Sequence, residues 1–499
     1  MSVLSRCSRP VSRLSLPTSL CCLAPIPPRT PAVLVHLLRS THNATDSNNP
    51  VTALESRGLV TSLSSPAVVE HAQSPTTIYC GVDPTAPSLH LGNFITLMGL
   101  LHFHVRGHQA IALIGGATGS IGDPSGRKTE RVPLSVDTLE FNIRGIRTQL
   151  ERFFARGTEY AASRGVSWAA VADLKVVNNA DWMRDMSALE FLSDVGRFAR
   201  VGTMLARESV KSRMDSAHGI SFTEFSYQLL QAYDFWHLYH VHGCRIQLGG
   251  SDQWGNITAG IDMIHRKRPN SPLILEEEGN GDVRAEGNPA FGITIPLLTT
   301  STGEKFGKSA GNAVWLDERL TSVYEFYQFF MKTTDADVGK YLLMFTLLPI
   351  PEIEEIVHEH MKNPDRHLAQ HKLADEATEL VHGPTGLRHA RVATDVLFGG
   401  SLQDVSGRDL AAAFEHDSSR LVRLAKDQVV GQGLDAVAVL AGATKSKSEA
   451  QKLVKSGGLY LNNQRVLDMR QKIGEQDLLD GMVCVFRTGK SSYRLVEVL

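Results

Sequence analysis

The sequence predicts an α/β domain, followed by a helical region and a small α+β unit. One observation is a buried strand that leads through a tight turn into a helix near residue 80, an order that recurs near residue 247. Another is the helical periodicity of residues 320–397, which proline interrupts in several places. The third is the mixture of short strands and helices after residue 420.

The first strand–turn–helix unit begins with an apolar run over residues 78–82, short enough for a buried strand. The Asp-Pro pair at residues 83–84 ends this run, because proline lacks an N–H and biases its predecessor toward extended geometry. Apolar residues recur at helical spacing from Leu91. The turn therefore presents the free N–H groups of a helix N-terminus, an anion site to which Thr85 and His90 would add donors. The alternative is the strand–helix turn of any nucleotide-binding α/β protein.

A second strand is expected over residues 110–114, and it leads into a glycine-rich loop over residues 115–128. Glycine at this density indicates positive φ angles and close approach of the backbone to a partner. The spacing does not match a P-loop. A flexible connector is one interpretation. We favour a binding loop, because Asp123 follows a strand of an α/β protein, where ligands collect beyond the carboxyl ends of the strands.

A helix is expected to begin near Ser221, which forms a capping-box pattern with Glu224. Tyr227, Gln231 and Asp234 follow at a spacing that places them on one helical stripe. A stripe that faces a core should be apolar, and the aromatic neighbours argue against a solvated face. The stripe is therefore predicted to line a polar pocket.

The second strand–turn–helix unit spans residues 245–256, with Gln247 pointing away from its apolar neighbours. Further on, residues 301–309 form a polar loop with Lys305 and Lys308 three apart, which is either solvated or functional. The remaining predicted elements are helices over residues 137–156 and 186–214, strands over 174–178 and 293–298, a helix over 446–454, and a hairpin with an Asn-Asn turn at 462–463.

Composition sets limits on the function. The chain has 499 residues, is 42% hydrophobic and carries a net charge of −2, which fits two or three globular domains and excludes a generally basic nucleic-acid binder. From residue 420 onward, thirteen Lys and Arg face eight Asp and Glu, net +5, which favours a local RNA contact over an ordinary solvated surface. No apolar run is long enough to span a membrane.

The first 45 residues are rich in Arg and Ser and lack acidic residues, the first of which is Asp46. This composition is typical of a mitochondrial or plastid transit peptide, and a plain disordered tail is the alternative. Of the six cysteines, Cys80, Cys244 and Cys484 lie outside this segment and are too far apart in sequence for a zinc motif. We expect no structural disulfide, as is usual for an intracellular protein.

Several of these segments together resemble the tyrosyl-tRNA synthetases of bacteria and organelles, which are class I aminoacyl-tRNA synthetases. Residues 90–93, His-Leu-Gly-Asn, resemble the HIGH signature of that class. Residues 305–309, Lys-Phe-Gly-Lys-Ser, resemble its KMSKS loop, and the basic end resembles an S4-like RNA-binding module. The similarity runs from about residue 78 to residue 309 and is densest in the blocks 79–91, 115–126, 227–235 and 247–256.

The resemblance implies a domain order and a fold. After a transit peptide over residues 1–45 we expect a Rossmann-like class I synthetase catalytic domain over 46–316. An α-helical anticodon-binding domain over 317–415 and a small S4-like α+β RNA-binding domain over 420–499 would follow. Homodimerisation is likewise implied by the family alone, and we expect a location in the mitochondrial matrix.

The resemblance also implies roles for individual residues. The residues that match the tyrosine pocket are Tyr79, Asp123, Tyr227, Gln231, Asp234 and Gln247. The residues that match the ATP site are Cys80, Gly81, Asp83, Thr96, Gly250, Asp252, Gln253 and Ser309. The residues that match the catalytic groups near the phosphates are Thr85, His90, Asn93, Lys305 and Lys308. Asn93 departs from the family, which usually has His there, and its amide can still donate to a ribose.

The implied reaction joins L-tyrosine to ATP, giving tyrosyl-adenylate and pyrophosphate, and then transfers tyrosine to the 3′ end of tRNA(Tyr). Mg²⁺ would enter with ATP, and we expect no tightly bound metal. The nearest alternative is a tryptophanyl-tRNA synthetase, although the pair Tyr79 and Asp234 suits a phenol better than an indole. An RNA-binding protein that keeps the synthetase fold is a second alternative, against which the intact lysine loop and His90 argue.

Overall fold

The structure, a computed structural model, describes most of the chain. The described residues are 48–125, 129, 131, 134–166, 171–216, 219–268, 290–298, 313–397, 405–415, 417–468, 470–489 and 492–499. The transit-peptide segment and the loop with Lys305, Lys308 and Ser309 lie outside these ranges. Within them, no helix is both long and apolar enough to cross a membrane.

A six-stranded sheet organises the first half of the chain, in the order β1-β6-β5-β2-β3-β4. Its strands are β1 Ser62–Leu63, β2 Thr77–Val82, β3 Gln109–Ile114, β4 Lys175–Asn178, β5 Cys244–Gly250 and β6 Phe291–Ile295. All neighbouring strands are parallel except β1, which pairs antiparallel with β6. The strand order reverses between β2 and β5, and this is the point at which an open parallel sheet leaves a crevice for ligands.

Helices cover both faces of this sheet. They are α1 Pro50–Ser56, α2 Ala67–His71, α3 Leu91–His104, α4 Thr118–Ile121, α5 Val136–Ser163, α6 Ala180–Met183, α7 Ala188–Glu190, α8 Val201–Leu205, α9 Glu208–Met214, α10 Phe222–His242 and α11 Trp254–Lys267. The side chains of β2 alternate between two cores, because successive residues of a strand point to opposite faces. Ile78 and Cys80 join the core that contains α3, whereas Tyr79 packs with Phe235 of α10.

The predicted helix over residues 186–214 was wrong as a single element. The chain forms α7, a π-helical turn over Phe191–Val195 and a 3₁₀ turn over Gly196–Phe198 before α8 and α9. The capping box of α10 also forms only in part. Ser221 Oγ accepts the Glu224 N–H at 3.2 Å, but the Glu224 carboxylate binds the buried guanidinium of Arg213 at 2.8 Å. A buried ion pair outcompetes the bond to the helix end.

The helical region packs directly against the sheet domain. Its helices are α12 Val323–Met331, α13 Asp335–Phe345, α14 Ile350–Lys362 and α15 Leu368–Leu397, with a kink in α15 at Gly383, where φ is 76°. Residues from α3, α5 and α12–α15 belong to one continuous apolar core. Two bonds from Arg57, just after α1, reach the Thr346 and Leu348 carbonyls at 3.0 and 2.7 Å.

The C-terminal unit is a five-stranded sheet with three short helices, in the order β7-β11-β10-β8-β9. Its elements are β7 Leu421–Leu424, α17 Lys426–Val429, α18 Leu434–Leu440, α19 Lys447–Ser456, β8 Leu459–Leu461, β9 Gln464–Arg465, β10 Val483–Thr488 and β11 Ser492–Val498, and α16 Gly407–Ala413 precedes it. The hairpin between β8 and β9 turns at Asn462 and Asn463, which have φ of 49° and 60°, as the sequence predicts. Phe414 and Val396 share a core with one face of this sheet.

Candidate active site

One cavity of about 330 Å³ lies at the carboxyl ends of β2 and β5. It is lined by all of the predicted site residues that the structure describes. These are Tyr79, Cys80, Gly81, Asp83, Thr85, His90, Asn93, Thr96, Asp123, Tyr227, Gln231, Asp234, Gln247, Gly250, Asp252 and Gln253. The tertiary structure therefore brings together residues that span 175 positions of sequence (79 to 253, both counted).

Asp234, from the middle of α10, is 2% exposed. The Asn179 amide donates to its Oδ2 at 3.0 Å, and the indole N–H of Trp182 donates to its Oδ1 at 2.9 Å. Burial raises the pKa of Asp234 to about 8, against these two bonds, which lower it. A carboxyl group with this environment gains from one further donor, and a substrate hydroxyl would supply one.

Tyr79 lies on β2 with its ring centroid 5.3 Å from that of Phe235. Its hydroxyl is buried and has no hydrogen-bond partner among the described residues. Gln247 is directly opposite Tyr79 on the neighbouring strand, and its Oε1 is buried without a partner in the same part of the chain. Buried polar atoms are seldom left unpaired, so these two atoms mark where a ligand would complete the bonding.

Asp83 stands at the end of β2 and accepts two hydrogen bonds. Tyr227 Oη donates to its Oδ2 at 2.8 Å, and Thr118 Oγ1 donates to its Oδ1 at 2.7 Å. Burial raises the pKa of Asp83 to about 6; the Thr118 bond opposes this shift, and the nearby charge of Asp123 adds to it. A Cβ at Gly115 would lie 2.1 Å from Asp83 Oδ1, so only glycine fits there.

Asp123 follows α4 and forms a second anionic centre. Gln253 Nε2 donates to its Oδ2 at 2.8 Å, and the Ser125 N–H donates to its Oδ1 at 2.9 Å. The Asn256 amide lies 3.5 Å from the same Oδ1. Gln231 lines the cavity between Tyr227 and Asp234, one helical turn from each. Two carboxylates, Asp83 and Asp123, thus face the middle of the cavity, which suits a substrate cation.

His90 is the N-cap of α3 and pairs with Asn93 in a reciprocal capping box. The His90 N–H donates to Asn93 Oδ1 at 3.0 Å, and the Asn93 N–H donates to His90 Nδ1 at 3.3 Å. Because Nδ1 accepts, the proton of the neutral ring lies on Nε2, which is then a donor. A Cβ at Gly92 would lie 2.9 Å from the imidazole, so glycine at this position makes room for the ring of His90.

The other lining residues lie around this helix N-terminus. Thr85 follows Asp83, whose carbonyl accepts the Thr85 N–H at 2.8 Å. Thr96 is on the first turns of α3, Cys80 and Gly81 are on β2, and Gly250 ends β5. Asp252 is exposed in the short 3₁₀ turn that precedes α11. This end of the cavity offers a helix N-terminus and hydroxyl groups, which are donors that suit phosphate and ribose.

Sequence reasoning missed three residues that hold the site together: Thr118, Asn179 and Trp182. Asn179 directly follows β4, and Thr118 is the first residue of α4, within the glycine-rich segment after β3. The rule that singled out Asp123, a polar residue beyond the carboxyl end of a strand, applies to Asn179 as well. No comparable signal identifies Trp182.

No group of three His, Cys, Asp or Glu residues that could hold a metal ion occurs in the described ranges. The carboxylates of the cavity are instead engaged by amide, hydroxyl and indole donors. The arrangement can bind a zwitterionic amino acid whose side chain ends in a hydroxyl group, and it can hold a nucleotide phosphate beside that amino acid.

The parallel sheet, the crevice and the donors at the start of α3 define a class I aminoacyl-tRNA synthetase. Residues 71–399 match the family described as tRNA synthetases class I (W and Y), and residues 423–496 match the tyrosine–tRNA ligase SYY-like C-terminal domain. The chain belongs to the tyrosyl-tRNA synthetase family, and its activity is that of a tyrosine–tRNA ligase that uses ATP. The predicted family, fold class and enzyme activity are confirmed.

Individual relatives agree with this assignment. The tyrosine–tRNA ligase of Roseiflexus castenholzii is 43% identical over 85% of this chain and 93% of its own. The mitochondrial tyrosine–tRNA ligase of Saccharomyces cerevisiae is 42% identical over 84% and 82%. A crystal structure of a C-terminally truncated Aspergillus nidulans mitochondrial tyrosyl-tRNA synthetase is 36% identical, covers 74% of this chain and 99% of its own, and superposes with a TM-score of 0.63. These relatives favour tyrosine over the tryptophan alternative.

Proposed function

We propose that the chain activates and transfers tyrosine in the mitochondrial matrix, and that the cavity described above is the site of both steps. The observation that carries the proposal is the pairing of Tyr79 and Asp234 inside the cavity with His90 at the helix N-terminus. The first two suit a phenol, and the last suits a phosphate. An amino acid and ATP bound at these two ends of the cavity would bring the amino-acid carboxylate toward the α-phosphorus of ATP.

Recognition of the phenol falls to Tyr79 and Asp234. The phenol would donate to Asp234, and its oxygen would accept from Tyr79 Oη, which has no partner in the described part of the chain. Phenylalanine would leave both groups unpaired, at a cost of roughly 1–3 kcal/mol for each buried polar group. Gln247 would complete the wall of this pocket.

Asp123, Tyr227 and Gln231 would hold the substrate ammonium. The bond that Tyr227 donates to Asp83 orients its ring toward the same point. The negative charge of Asp83 would also attract the ammonium, in addition to its role in the ATP site near the ribose. Because the positive charge of the ammonium would lie beside both carboxylates, the substrate itself would offset part of the repulsion between Asp83 and Asp123.

The nucleotide would lie over Cys80, Gly81, Thr96, Gly250, Asp252 and Gln253. Thr85 and His90, with Lys305, Lys308 and Ser309 from the polar loop, would hold the phosphates and the leaving pyrophosphate. ATP would enter as its Mg²⁺ complex. Tyrosine carboxylate is already a nucleophile, so the step needs positioning and stabilisation of charge on the phosphate oxygens instead of a covalent enzyme intermediate.

The division of the chain supports the transfer step. We assign residues 46–316 to catalysis, 317–415 to contacts with the anticodon region and 420–499 to further RNA contacts. The net charge of +5 from residue 420 onward supports the last assignment. The substrate RNA would be tRNA(Tyr), as the family implies.

We also infer a homodimer. Six exposed apolar side chains occur in the segment from α7 to the start of α10: Leu189, Leu192, Val201, Leu205, Met214 and Phe222. Leu189 and Phe222 are 79% and 77% exposed, and an apolar surface of this kind is typical of an interface. Sedimentation of the wild-type chain and of Phe222→Ser tests this. A wild-type monomer at micromolar concentration would refute it.

A location in the mitochondrial matrix is supported by the acid-free, Arg-rich start of the chain and by relatives named as mitochondrial. Bacterial relatives have similar identity, so the relatives alone leave the compartment open. Residues 1–47 fused to a fluorescent protein should direct it to mitochondria. Diffuse fluorescence, or import into plastids, would exclude the proposed location.

Amino-acid-dependent ATP–pyrophosphate exchange tests the assignment of the pocket. The full chain is assayed in parallel with tyrosine, phenylalanine and tryptophan. We expect exchange with tyrosine and at least a hundredfold lower kcat/KM with phenylalanine, on the order of two lost buried hydrogen bonds. Equal exchange with tryptophan would contradict the phenol assignment of Tyr79 and Asp234.

A further inference from the structure

A chain of hydrogen bonds runs along the wall of the cavity from Asp234 to Asp83. Asn179, which is 0% exposed, uses both protons of its amide. Its Nδ2 lies 3.0 Å from Asp234 Oδ2 and 3.0 Å from Thr118 Oγ1. Thr118 Oγ1 then donates to Asp83 Oδ1 at 2.7 Å. Two carboxylates that serve different parts of the proposed site are therefore joined through two side chains.

The direction of each bond in this chain is fixed. The backbone N–H of Ala117 donates to Asn179 Oδ1 at 2.7 Å, so the amide cannot turn over without setting two donors against each other. Because Thr118 Oγ1 accepts from Asn179, its own proton must point to another acceptor, and Asp83 is that acceptor. A change at Asp83 thus alters the orientation of the Thr118 hydroxyl and its capacity to accept from Asn179.

Burial makes these bonds consequential. Thr118 is 2% exposed, so neither it nor Asn179 can exchange a lost partner for bulk water. Among the described residues, the donors within hydrogen-bond distance of Asp234 are Asn179 and Trp182. If the hydrogen bond from Asn179 were weaker, the Asp234 carboxylate could move away from the position at which it would accept a hydrogen bond from the phenol.

We propose that Thr118 and Asn179 are positioning residues that couple recognition of the tyrosine phenol at Asp234 to the Asp83 end of the site. The inference rests on the proposed role of Asp234. The proposal has one distinctive consequence. The Thr118 hydroxyl, which bonds Asn179 and Asp83, influences the selectivity for tyrosine over phenylalanine although it does not contact the phenol.

The test uses the full chain and ATP–pyrophosphate exchange, with kcat/KM measured for tyrosine and for phenylalanine. Thr118→Val removes the hydroxyl at nearly constant shape, and Thr118→Ser retains it. We expect Thr118→Val to lower the ratio of kcat/KM for tyrosine to kcat/KM for phenylalanine about fivefold, which corresponds to the net free energy of one hydrogen bond. For Thr118→Ser, this ratio should stay within about twofold of the wild-type value. Thr258→Val is the matched control, because that hydroxyl bonds its own helix at the Trp254 carbonyl.

A double-variant comparison separates coupling from two independent effects. Asn179→Ala should lower the selectivity ratio more than Thr118→Val, because it removes a donor to Asp234 directly. Adding Thr118→Val to Asn179→Ala should lower the ratio no further, since the amide that would transmit the change is gone. Additive losses would overturn the coupling. Thermal unfolding of each variant shows that the assays report on folded protein.

Asp234→Asn distinguishes failure of this inference from failure of the proposed function. If Asp234→Asn leaves the ratio unchanged, the phenol assignment itself is wrong. If Asp234→Asn lowers the ratio but Thr118→Val lowers kcat/KM equally for both amino acids, Thr118 has a structural role and the coupling is refuted.

Discussion

Asn93 and His90 hold each other at the N-terminus of α3: the His90 N–H donates to Asn93 Oδ1, and the Asn93 N–H donates to His90 Nδ1. The family usually has a histidine in place of Asn93. In this chain the amide oxygen satisfies a helix-end N–H, and Asn93 is also one of the residues that line the cavity. One residue therefore combines a structural bond with the capacity to donate to a ribose.

Asn93→Ala should slow tyrosine activation without abolishing it. The substitution removes one cap bond, worth about 1 kcal/mol, and one possible donor to the nucleotide, so we expect kcat/KM for ATP to fall about tenfold to a hundredfold. Pyrophosphate exchange measures this.

The matched control for Asn93→Ala is Glu325→Ala, which removes the equivalent bond from the capping box of α12 far from the cavity. Its KM for ATP should not change. A loss of more than a thousandfold on Asn93→Ala would instead indicate a direct role in the chemistry.

Stability should depend on pH through Asp234. Its pKa in the folded protein is raised to about 8, above the usual value of 3.8, so the folded state binds an extra proton between these pH values. The free energy of unfolding should therefore fall as the pH rises from about 4 to 8, because Asp234 ionises more readily in the unfolded chain than in the folded protein. Asp234→Asn, which cannot ionise, should gain stability relative to the wild type across that window, by up to a few kcal/mol at pH 8.

Urea unfolding of wild type and Asp234→Asn at pH 5 and pH 8, without substrates, measures the difference. The advantage of the variant should be larger at pH 8. An advantage that is equal at both pH values would mean that Asp234 does not titrate in this range. Asp395→Asn, at an exposed position in α15, is the matched control outside the cavity, and it should change the free energy of unfolding at pH 8 less than Asp234→Asn does.

The segment after the predicted transit peptide packs into the core and should stabilise the fold. Val51, Ala53 and Leu54 of α1 are 0% exposed, and Arg57 binds carbonyls beyond α13. A chain that starts at residue 48 should keep its stability and exchange activity. A chain that starts at residue 60 should lose several kcal/mol, because three buried apolar side chains disappear.

Arg57→Met isolates the polar part of this contact. We expect a loss of about 2–4 kcal/mol in the free energy of unfolding, since buried carbonyls lose a charged donor. Arg319→Met is the control: Arg319 is exposed and pairs with Asp317, and we expect less than about 1 kcal/mol. Equal effects of the two substitutions would contradict the structural role of Arg57.

Deletion of residues 420–499 should separate the two steps of the reaction. Adenylate formation should persist, because the cavity lies wholly within residues 79–298 of the described chain, whereas aminoacylation of tRNA should fall at least tenfold with the loss of a basic surface. Single-turnover pyrophosphate release and tRNA charging measure the steps separately.

The deletion also uncovers Val396 and Phe414, which pack on the C-terminal sheet, so the truncated chain should be less soluble. Phe414→Ser within the truncated chain is expected to restore solubility. Equal loss of both reaction steps in soluble, folded protein would show that the C-terminal unit supports the catalytic domain and is not confined to binding RNA.

The sequence by itself predicted several of the elements that carry the residues of the cavity, among them β2, β5 and α10. The apolar run of β2, the alternation around Gln247 in β5 and the polar stripe of α10 are local patterns, and short-range sterics and burial enforce them. The family resemblance then related Tyr79, Asp123, Tyr227 and Asp234 to one site. The loop with Lys305 and Lys308 stays a prediction, because it lies outside the described residues.

Only the tertiary structure decided the partners of these residues. Asn179 reaches Thr118 and Asp234 because β4 pairs with β3, a non-local contact that no local pattern encodes. The same holds for Glu224, which forms a buried ion pair with Arg213 instead of the predicted capping bond. It also holds for Arg57, which donates to carbonyls almost three hundred positions away. Burial sets the strength of such bonds, and burial is a property of the assembled fold.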